Sequence, residues 1–301
     1  MNSKSISGGQ RQAREQERAR AERRSALGRR LAPVAIHGVL LLYTLIAMAP
    51  VILVVMNSFK DSKEIFAHPY LPPFGATFEP VGYETVFGQS QVARYFINSF
   101  LVTSLSISLV LLFGAMASFA LTEYAFPGNT PLGIYLLLGL MIPIRLATVS
   151  ILKLMVFLGL QNTIWSLILV YIAQGLPFAV FVLTQYMRQV PKELKDAARI
   201  DGANEYQIFF LVAPLLRPAL ATLAVFIMIP IWNDLWFPLI LAPGEASRTL
   251  TLGAQQFLGQ FQTDWSALLA MLTLAIVPVL LLYVIFSRQL IRGLTAGAIK
   301  S

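Results

Sequence analysis

Charged side chains are concentrated in one segment of a chain that is otherwise rich in hydrophobic residues. This segment contains Lys192, Glu193, Lys195, Asp196, Arg199, Asp201 and Glu205. Acids and bases at this spacing can pair with one another along a helix or with charges on another molecule. Ion pairing at a surface is therefore the chemistry that this segment could do, since the stretches on either side are almost purely hydrophobic.

The sequence lacks the residue patterns on which catalytic and metal sites depend. It has no cysteine and two histidines, which excludes a disulfide framework and argues against a thiolate site or a histidine metal cluster. No lysine follows a glycine, so the Gly-Lys pair of a phosphate-binding P-loop is absent. We therefore expect no catalytic residue, no metal and no cofactor bound by this chain, and do not predict an enzyme.

Six hydrophobic stretches could position the charged segment. The composition is 56% hydrophobic and 13% charged, with a mean hydropathy of +0.68, far above that of a soluble domain. A helix that crosses a hydrocarbon core needs about 20 predominantly apolar residues. The sequence thus predicts an all-α polytopic membrane protein with six transmembrane helices, at residues 34–56, 95–121, 132–149, 164–187, 215–241 and 265–286.

Two of these predicted spans contain residues that interrupt a regular helix. Pro143 and Arg145 lie in the third span, and Lys153 follows it. Because a charge that faces lipid is unfavourable, we expect the far end of this span to be irregular or to line a cavity. The fifth span contains three prolines and should bend: Pro218, Pro230 and Pro238.

Basic residues assign the sides of the membrane. Nine of the 23 Lys and Arg residues lie in the first 30 positions, and this tail, the loop at 188–214 and the carboxy-terminal tail together hold most of the Lys and Arg residues. Six spans place all three segments on one face, which is cytoplasmic by the positive-inside rule, whereas five spans would split them. We expect a basic tail at 1–30, a transmembrane domain at 31–290 with a cytoplasmic loop at 188–214 and an external loop at 242–264, and a cytoplasmic tail at 291–301. The amino-terminal tail leads into a lipid-length stretch, so we expect it to meet the lipid bilayer and not a nucleic acid.

The charged segment itself predicts two short helices. Pro191 suits the first turn of a helix, where a missing N–H costs nothing. Gly202 permits a turn that a side chain would hinder. Apolar residues return at roughly helical spacing after Gly202 and end before Pro214. We expect a helix, a glycine turn and a second helix held at a membrane surface.

This segment resembles the EAA loop of the membrane subunits of binding-protein-dependent ABC importers. The resemblance is carried by Asp196-Ala197-Ala198, by Gly202 six residues after the acid, and by Ala213-Pro214. Aspartate stands where the family usually has glutamate, and the proline comes one residue earlier after the glycine. In the family this loop docks into a cleft of the ATPase subunit.

The resemblance implies a coupling role for Glu193, Asp196, Ala197, Ala198, Arg199, Asp201, Gly202 and Pro214. The apolar side chains expected in the ATPase groove are Ala197, Ile200, Tyr206 and Phe209, with Glu193, Asp196 and Arg199 pairing at its rim. The alternative is an ordinary amphipathic cytoplasmic loop.

Four further stretches extend the resemblance to the carbohydrate-uptake branch, in particular to the smaller maltose-transporter-type permease: RYFINSFLVT (94–103), IWNDLWFPLIL (231–241), FQTDWSALLA (261–270) and RGLTAGAIKS (292–301). The resemblance implies the type I ABC importer permease fold, with both termini cytoplasmic, in a bacterial or archaeal inner or plasma membrane. The implied partners are a second homologous permease subunit, two ATP-binding cassette ATPase subunits that use ATP and Mg²⁺, and an extracytoplasmic solute-binding protein. Together they would move a sugar or sugar-like solute inward by alternating access.

Two groups of residues are candidates for contact with the solute and with the binding protein. The possible solute pathway comprises Trp232, Asn233, Asp234 and Trp236, for which helix–helix hydrogen bonding, interfacial anchoring and core packing are the alternatives. The external-loop residues Gly253, Gln255 and Gln256 match, in the maltose type, a loop that reaches toward the binding protein.

Other functions stay open at this point. The positive charges of Arg145 and Lys153 are compatible with an anionic sugar or a glycerol phosphate as solute. A stand-alone secondary transporter would need an intramembrane acid for ion coupling, of which Asp234 is the clearest. A membrane scaffold is the remaining alternative.

Overall fold

The computed structural model describes residues 33–88, 91–259 and 263–298, and its regular structure there is helical, with one isolated antiparallel bridge between Leu258 and Thr263. The predicted amino-terminal tail at 1–30 lies outside these ranges. The chain divides after Met56 into two units. The first unit contains α1 (Pro33–Asn57), a 25-residue apolar helix over the first predicted span.

The second unit contains the remaining helices. In chain order these are α2 (Ser62–Ala67), α3 (Val81–Gly88), α4 (Gln91–Glu123), α5 (Asn129–Met141), α6 (Thr148–Phe157), α7 (Ile164–Met187), α8 (Lys192–Ile200), α9 (Glu205–Val212), α10 (Arg217–Trp232), α11 (Trp236–Leu241), α12 (Leu250–Ala254) and α13 (Trp265–Ala298). Four helices within the described residues are long and apolar enough to cross a membrane, or five if α5 and α6 form one bent span.

The α4–α7 pair is the centre of the second unit, and small residues let these two helices approach closely. A Cβ atom on Gly114 of α4 would lie 2.8 Å from Ala179 Cβ, and one on Gly175 of α7 would lie 2.9 Å from Val110 Cγ2. Ser118 donates a 3.2 Å hydrogen bond to the carbonyl of Val180 across the same interface. Small residues at a helix interface increase the packing contacts that hold membrane helices together. The long helix α4 is therefore tightly fixed to α7.

The third predicted span is not one helix. It consists of α5, a 3₁₀ turn at Ile144–Ala147, and α6, with a bend of 85° at the break. Pro143 lies at this break, where its ring and its missing N–H interrupt the helix, and Arg145 lies in the turn. The prediction that the far end of the span at 132–149 is irregular therefore matches the backbone.

The fifth predicted span begins earlier and ends earlier than expected. An apolar helix runs from Glu205 to Trp232, so α9 continues into α10 through a 3₁₀ turn at Ala213–Leu216. As predicted, α9 ends at Val212, before Pro214, which lies in the first turn of the 3₁₀ helix, where its missing N–H breaks no bond. The helix ends at Trp232, and α11 is a separate short helix.

The external loop predicted at 242–264 is more ordered than a polar connection. It contains α12, which is buried against α4. The side-chain amide of Asn98 on α4 donates 2.9 Å hydrogen bonds to the carbonyls of Ala246 and Arg248. Ser99 accepts a 2.8 Å bond from the backbone N–H of Leu250. The Asn-Ser pair of the RYFINSFLVT stretch thus fastens this loop to one end of α4.

The last helix is longer than predicted. Asp264 accepts a 2.9 Å hydrogen bond from the backbone N–H of Ala267 and so caps the beginning of α13. The helix continues to Ala298, beyond the predicted end of the sixth span at residue 286 and through most of the predicted tail at 291–301. The last three residues lie outside the described ranges.

Candidate functional site

The α8–α9 hairpin comprises Lys192–Val212 and is built on a left-handed glycine. Gly202 has φ +84°, a conformation that glycine adopts at no steric cost. Its N–H bonds the carbonyl of Arg199 at 3.0 Å, and the N–H of Ala203 bonds the carbonyl of Ala198 at 2.9 Å, which ends α8. Asn204 and Gln207 then form a capping box with bonds of 2.8 and 3.0 Å, which starts α9.

The hairpin is attached to the end of α4 by a buried ion-pair cluster. The carboxylate of Glu123 pairs through Oε1 with Arg199 Nη2 at 2.6 Å and through Oε2 with Lys195 Nζ. The Glu123 side chain is 8% exposed and that of Lys195 is 9% exposed. A buried carboxylate of this kind must be paired and hydrogen-bonded to stay charged. Both oxygens of Glu123 meet this condition.

Arg199 holds the two helices of the hairpin together. It pairs with Asp196 at 3.1 Å one turn earlier and with Glu205 at 3.1 Å across the glycine turn. Tyr124 donates a 2.9 Å hydrogen bond to the other oxygen of Glu205. Hydrogen bonds to Glu205 and Glu123 raise the pKa of Arg199 above its ordinary value. Arg199, expected at the rim of a partner groove, is thus engaged by acids of its own chain.

Apolar side chains project from the outer side of this hairpin. Ile200 is 87% exposed, Tyr206 75% and Phe210 69%. Phe209, expected among them, is half-buried and packs edge-on against Phe119 with ring centroids 5.6 Å apart. Phe210 therefore replaces Phe209 in the exposed apolar set.

The remaining predicted coupling residues lie around this set. Glu193, Asp196, Ala197 and Asp201 are exposed, and Ala198 is half-buried. Exposed apolar side chains beside unburied carboxylates are the composition of a protein-binding surface with a polar rim. Ile200, Tyr206 and Phe210 are called the apolar tip of the hairpin below.

A second polar cluster lies where α10 ends and α11 begins. Asp234 is buried and accepts hydrogen bonds from Tyr171 at 2.9 Å and from the backbone N–H groups of Trp236 and Phe237 at 3.2 Å. Arg145, from the break between α5 and α6, lies 3.4 Å from the same carboxylate. The cluster thus joins two helix breaks, which are the places where irregular backbone at membrane depth needs polar partners.

A cavity of about 210 Å³ opens beside this cluster. Its polar lining includes Arg145, Tyr171, Gln174 and Asp234, and its apolar lining includes Phe178 and Phe226. The Arg145 side chain is 66% exposed, although Asp234 lies beside it. Guanidinium and amide groups can donate hydrogen bonds to a polar solute, and aromatic rings can pack against an apolar face of it. The cavity therefore offers both kinds of contact to a polar solute.

The other predicted pathway residues occupy different environments. Trp232 is buried in the hydrophobic core and donates a 3.0 Å hydrogen bond from its indole to the carbonyl of Ala275. Asn233 is exposed and bonds the carbonyl of Ile229 at 2.9 Å. Trp236 is exposed and donates from its indole to Thr148 at 3.0 Å. Trp236 and Asp234 thus connect α11 to the α5–α6 break, whereas Trp232 belongs to the core.

The predicted external-loop residues also separate. Gly253 is buried in α12, and a Cβ atom there would lie 2.3 Å from Cδ2 of Tyr95. The prediction that Gly253 contacts the binding protein is corrected: Gly253 is buried where no partner protein can reach it, and it serves the packing of α12. Gln255 and Gln256 are exposed at the end of the same segment. Within the described residues no group of three or more His, Cys, Asp or Glu side chains could hold a metal ion.

Named relatives match nearly the whole chain. A family model described as the binding-protein-dependent transport system inner membrane component matches residues 37–296. The diacetylchitobiose uptake system permease protein NgcG of Streptomyces coelicolor is 34% identical over 275 residues, covering 90% of each chain. The arabinooligosaccharides transport system permease protein AraQ of Halalkalibacterium halodurans is 34% identical over 258 residues, covering 85% of this chain and 92% of the relative.

Solved structures share the fold. A chain of a bacterial ABC transporter involved in the import of the acidic polysaccharide alginate superposes with a TM-score of 0.76 at 19% identity, covering 86% of this chain and 96% of that one. A chain of the alginate transporter in complex with an alginate pentasaccharide-bound periplasmic protein gives a TM-score of 0.61 at 17% identity, covering 86% and 95%. The family predicted from the hairpin motif is confirmed: this protein belongs to the inner membrane components of binding-protein-dependent transport systems.

Proposed function

We propose that this chain is the permease subunit of an ATP-driven importer and that the apolar tip of the α8–α9 hairpin docks onto a separate ATPase subunit. The observation that carries the proposal is the exposure of Ile200, Tyr206 and Phe210 on a hairpin whose Lys195 and Arg199 are paired with acids of its own chain. Burying such side chains contributes about 1.5–3 kcal/mol each, so these three are the expected hydrophobic anchors of the contact. The exposed carboxylates of Glu193, Asp196 and Asp201 would pair at the rim of the contact.

Six membrane crossings accommodate this role. Five of them would be α1, α4, the bent pair α5–α6, α7 and the helix Glu205–Trp232. The apolar first part of α13 would be the sixth. With six crossings the hairpin and both termini share the face that carries most of the Lys and Arg residues, which we assign to the cytoplasm. An ATPase in the cytoplasm can then reach the hairpin.

The remaining partners follow from this arrangement. ATP hydrolysis, with Mg²⁺, would take place in two ATPase subunits, because the sequence contains no Gly-Lys pair for a P-loop. A second homologous permease subunit would complete the translocation pathway. A solute-binding protein would dock on the outer face, where Gln255 and Gln256 are exposed.

We propose a sugar or sugar-like molecule as the solute. The relatives are named for the uptake of diacetylchitobiose and arabinooligosaccharides. The cavity at the two helix breaks offers Arg145 and Gln174 as hydrogen-bond donors between aromatic walls. The carboxylate of Asp234 lies beside Arg145 and offsets its charge, which favours a neutral saccharide over an anionic sugar or a glycerol phosphate.

Reconstitution tests this function. The tagged chain is purified from its native membranes, and the co-purifying proteins are identified and assembled with it in liposomes that contain ATP. We expect an ATPase, a second multi-span subunit and ATP-dependent uptake of a neutral oligosaccharide presented by the binding protein. Uptake driven by a proton or sodium gradient without ATP would instead indicate a secondary transporter.

A further inference from the structure

The carboxylate of Glu123 is the point at which the α8–α9 hairpin is attached to a membrane-spanning helix. We propose that Glu123 is a positioning residue that transmits movement of the hairpin to α4, and that α4 carries this movement to the external segment that contains α12. This role rests on the proposed function, because it requires an ATPase that moves the hairpin.

The attachment fixes both the position and the rotation of α8. Lys195 and Arg199 are four residues apart, so both project from the same face of the helix. They meet different oxygens of one buried carboxylate. A single contact would act as a pivot, whereas two contacts one turn apart hold the helix at a defined angle to α4.

The next residue of the chain extends the attachment to α9. Tyr124 donates to Glu205, and Arg199 pairs with the same carboxylate. The aromatic contact between Phe119 of α4 and Phe209 of α9 adds a hydrophobic component. Both helices of the hairpin are therefore joined to the end of α4 and must move with it.

The opposite end of α4 holds the external segment. Asn98 bonds the carbonyls of Ala246 and Arg248, and Ser99 bonds the N–H of Leu250 at the start of α12. Asn98 and Glu123 are 25 residues apart in one uninterrupted helix, a distance of about 37 Å at 1.5 Å per residue. One rigid helix thus connects the hairpin proposed to contact the ATPase with the segment proposed to contact the binding protein.

The test measures coupling in the assembled transporter. Complexes of the permease pair, the ATPase and the binding protein are reconstituted, and the ratio of solute transported to ATP hydrolysed is determined. Glu123→Gln keeps the size of the side chain and removes its charge. We expect this ratio to fall about tenfold, equivalent to about 1.4 kcal/mol of coupling, while the variant still assembles with the ATPase through the apolar tip. Glu84→Gln, at an exposed glutamate of α3, is the matched control and should keep the wild-type ratio.

A milder variant covers the case in which Glu123→Gln does not assemble. Lys195→Met leaves the pair between Glu123 and Arg199 in place, and Lys192→Met at an exposed position of the same helix is its control. We expect a lower transport-to-hydrolysis ratio for Lys195→Met than for Lys192→Met, with equal yields of assembled complex.

The outcomes separate the two proposals. A wild-type chain that binds no ATPase and transports nothing with ATP would contradict the proposed function itself. If the wild-type complex is functional and Glu123→Gln keeps the wild-type ratio of transport to hydrolysis, the role of Glu123 alone is overturned. Where Glu123→Gln fails to assemble, a wild-type ratio for Lys195→Met has the same meaning.

Discussion

The phenol of Tyr171 donates a 2.9 Å hydrogen bond to Oδ2 of Asp234, which joins the middle of α7 to the break between α10 and α11. The same carboxylate accepts the first N–H groups of α11. A buried carboxylate without these donors would be strongly disfavoured. The contact therefore explains how an acid can lie within an otherwise apolar stretch. It also holds in place two side chains that line the cavity, those of Tyr171 and Asp234.

Removing the hydroxyl group of Tyr171 should destabilise the protein without changing the packing of the ring. Tyr171→Phe keeps the ring, which packs edge-on against Phe237, but takes one donor from Asp234. We expect the free energy of unfolding to fall by about 1–3 kcal/mol, because the buried carboxylate loses one of its hydrogen bonds and keeps the weaker 3.2 Å bond from the N–H of Phe237 on the same oxygen. Thermal unfolding in detergent measures the change. Tyr135→Phe, at an exposed tyrosine of α5, should leave the midpoint unchanged, and equal midpoints for both variants would contradict the structural role of the bond.

Hydropathy and charge could predict much of this fold because both act locally along the chain. The stretch at 164–187 coincides with α7, and the predicted helix, glycine turn and helix of the charged segment correspond to α8, Gly202 and α9. The prediction differed at the start of the fifth span, placed at residue 215, because the apolar stretch that is long enough to cross a membrane begins at Glu205. Pro214 lies within it in the first turn of a 3₁₀ helix, and the sequence alone does not distinguish such a proline from one that ends a span.

Contacts between distant residues could not be predicted from the sequence. Glu123 and Lys195 are 72 positions apart, and an acid at the end of an apolar stretch looks like any loop residue. The one signal is its isolation next to the Pro127-Gly128 turn. The polar sequence around Gly253 suggests an exposed loop and hence a partner contact, although the missing side chain of this glycine serves the packing of Tyr95.

Substitutions of Gly202 should affect coupling in a graded order. At φ +84° nothing lies within 4 Å of the position that a Cβ atom would take, so the cost of a substitution comes from the backbone. We expect Gly202→Asn to be tolerated best and Gly202→Ala to add about 1–2 kcal/mol of backbone strain to the folded hairpin. Gly202→Pro should uncouple ATP hydrolysis from transport, because proline cannot adopt a positive φ. ATPase and uptake rates of the reconstituted complex measure this order.

Gly128 provides the control for this series. It also has a positive φ, +95°, with open space around it, but it precedes α5 and lies outside the hairpin. Gly128→Ala should cause similar backbone strain and a similar loss of thermal stability, yet preserve the ratio of transport to hydrolysis. Uncoupling by both alanine variants would show that the effect is general destabilisation.

Two glycine-to-alanine substitutions should have effects of opposite sign. A methyl group at Gly253 would overlap the ring of Tyr95, so Gly253→Ala should destabilise the protein by about 1–3 kcal/mol through overpacking. Gly133 of α5 has nothing within 4 Å of the corresponding position, so Gly133→Ala should stabilise it by about 0.5–1 kcal/mol through helix propensity. Thermal unfolding of both variants beside the wild type checks the difference, and a stable Gly253→Ala protein would mean that α12 is not packed against α4.

Polar replacements in the apolar tip should weaken binding of the ATPase while leaving the folded permease intact. Tyr206 and Phe210 make little contact with their own chain, being 75% and 69% exposed, so Tyr206→Ser and Phe210→Ser should unfold at the wild-type temperature. If each ring becomes buried in the ATPase, its loss should weaken the complex about tenfold or more, since burial of such a side chain contributes about 1.5–3 kcal/mol. Titration of the purified ATPase against permease in nanodiscs measures the dissociation constant. Phe157→Ser, at an exposed phenylalanine that ends α6, should bind like the wild type, and unchanged binding by the two tip variants would move the docking surface elsewhere on the cytoplasmic face.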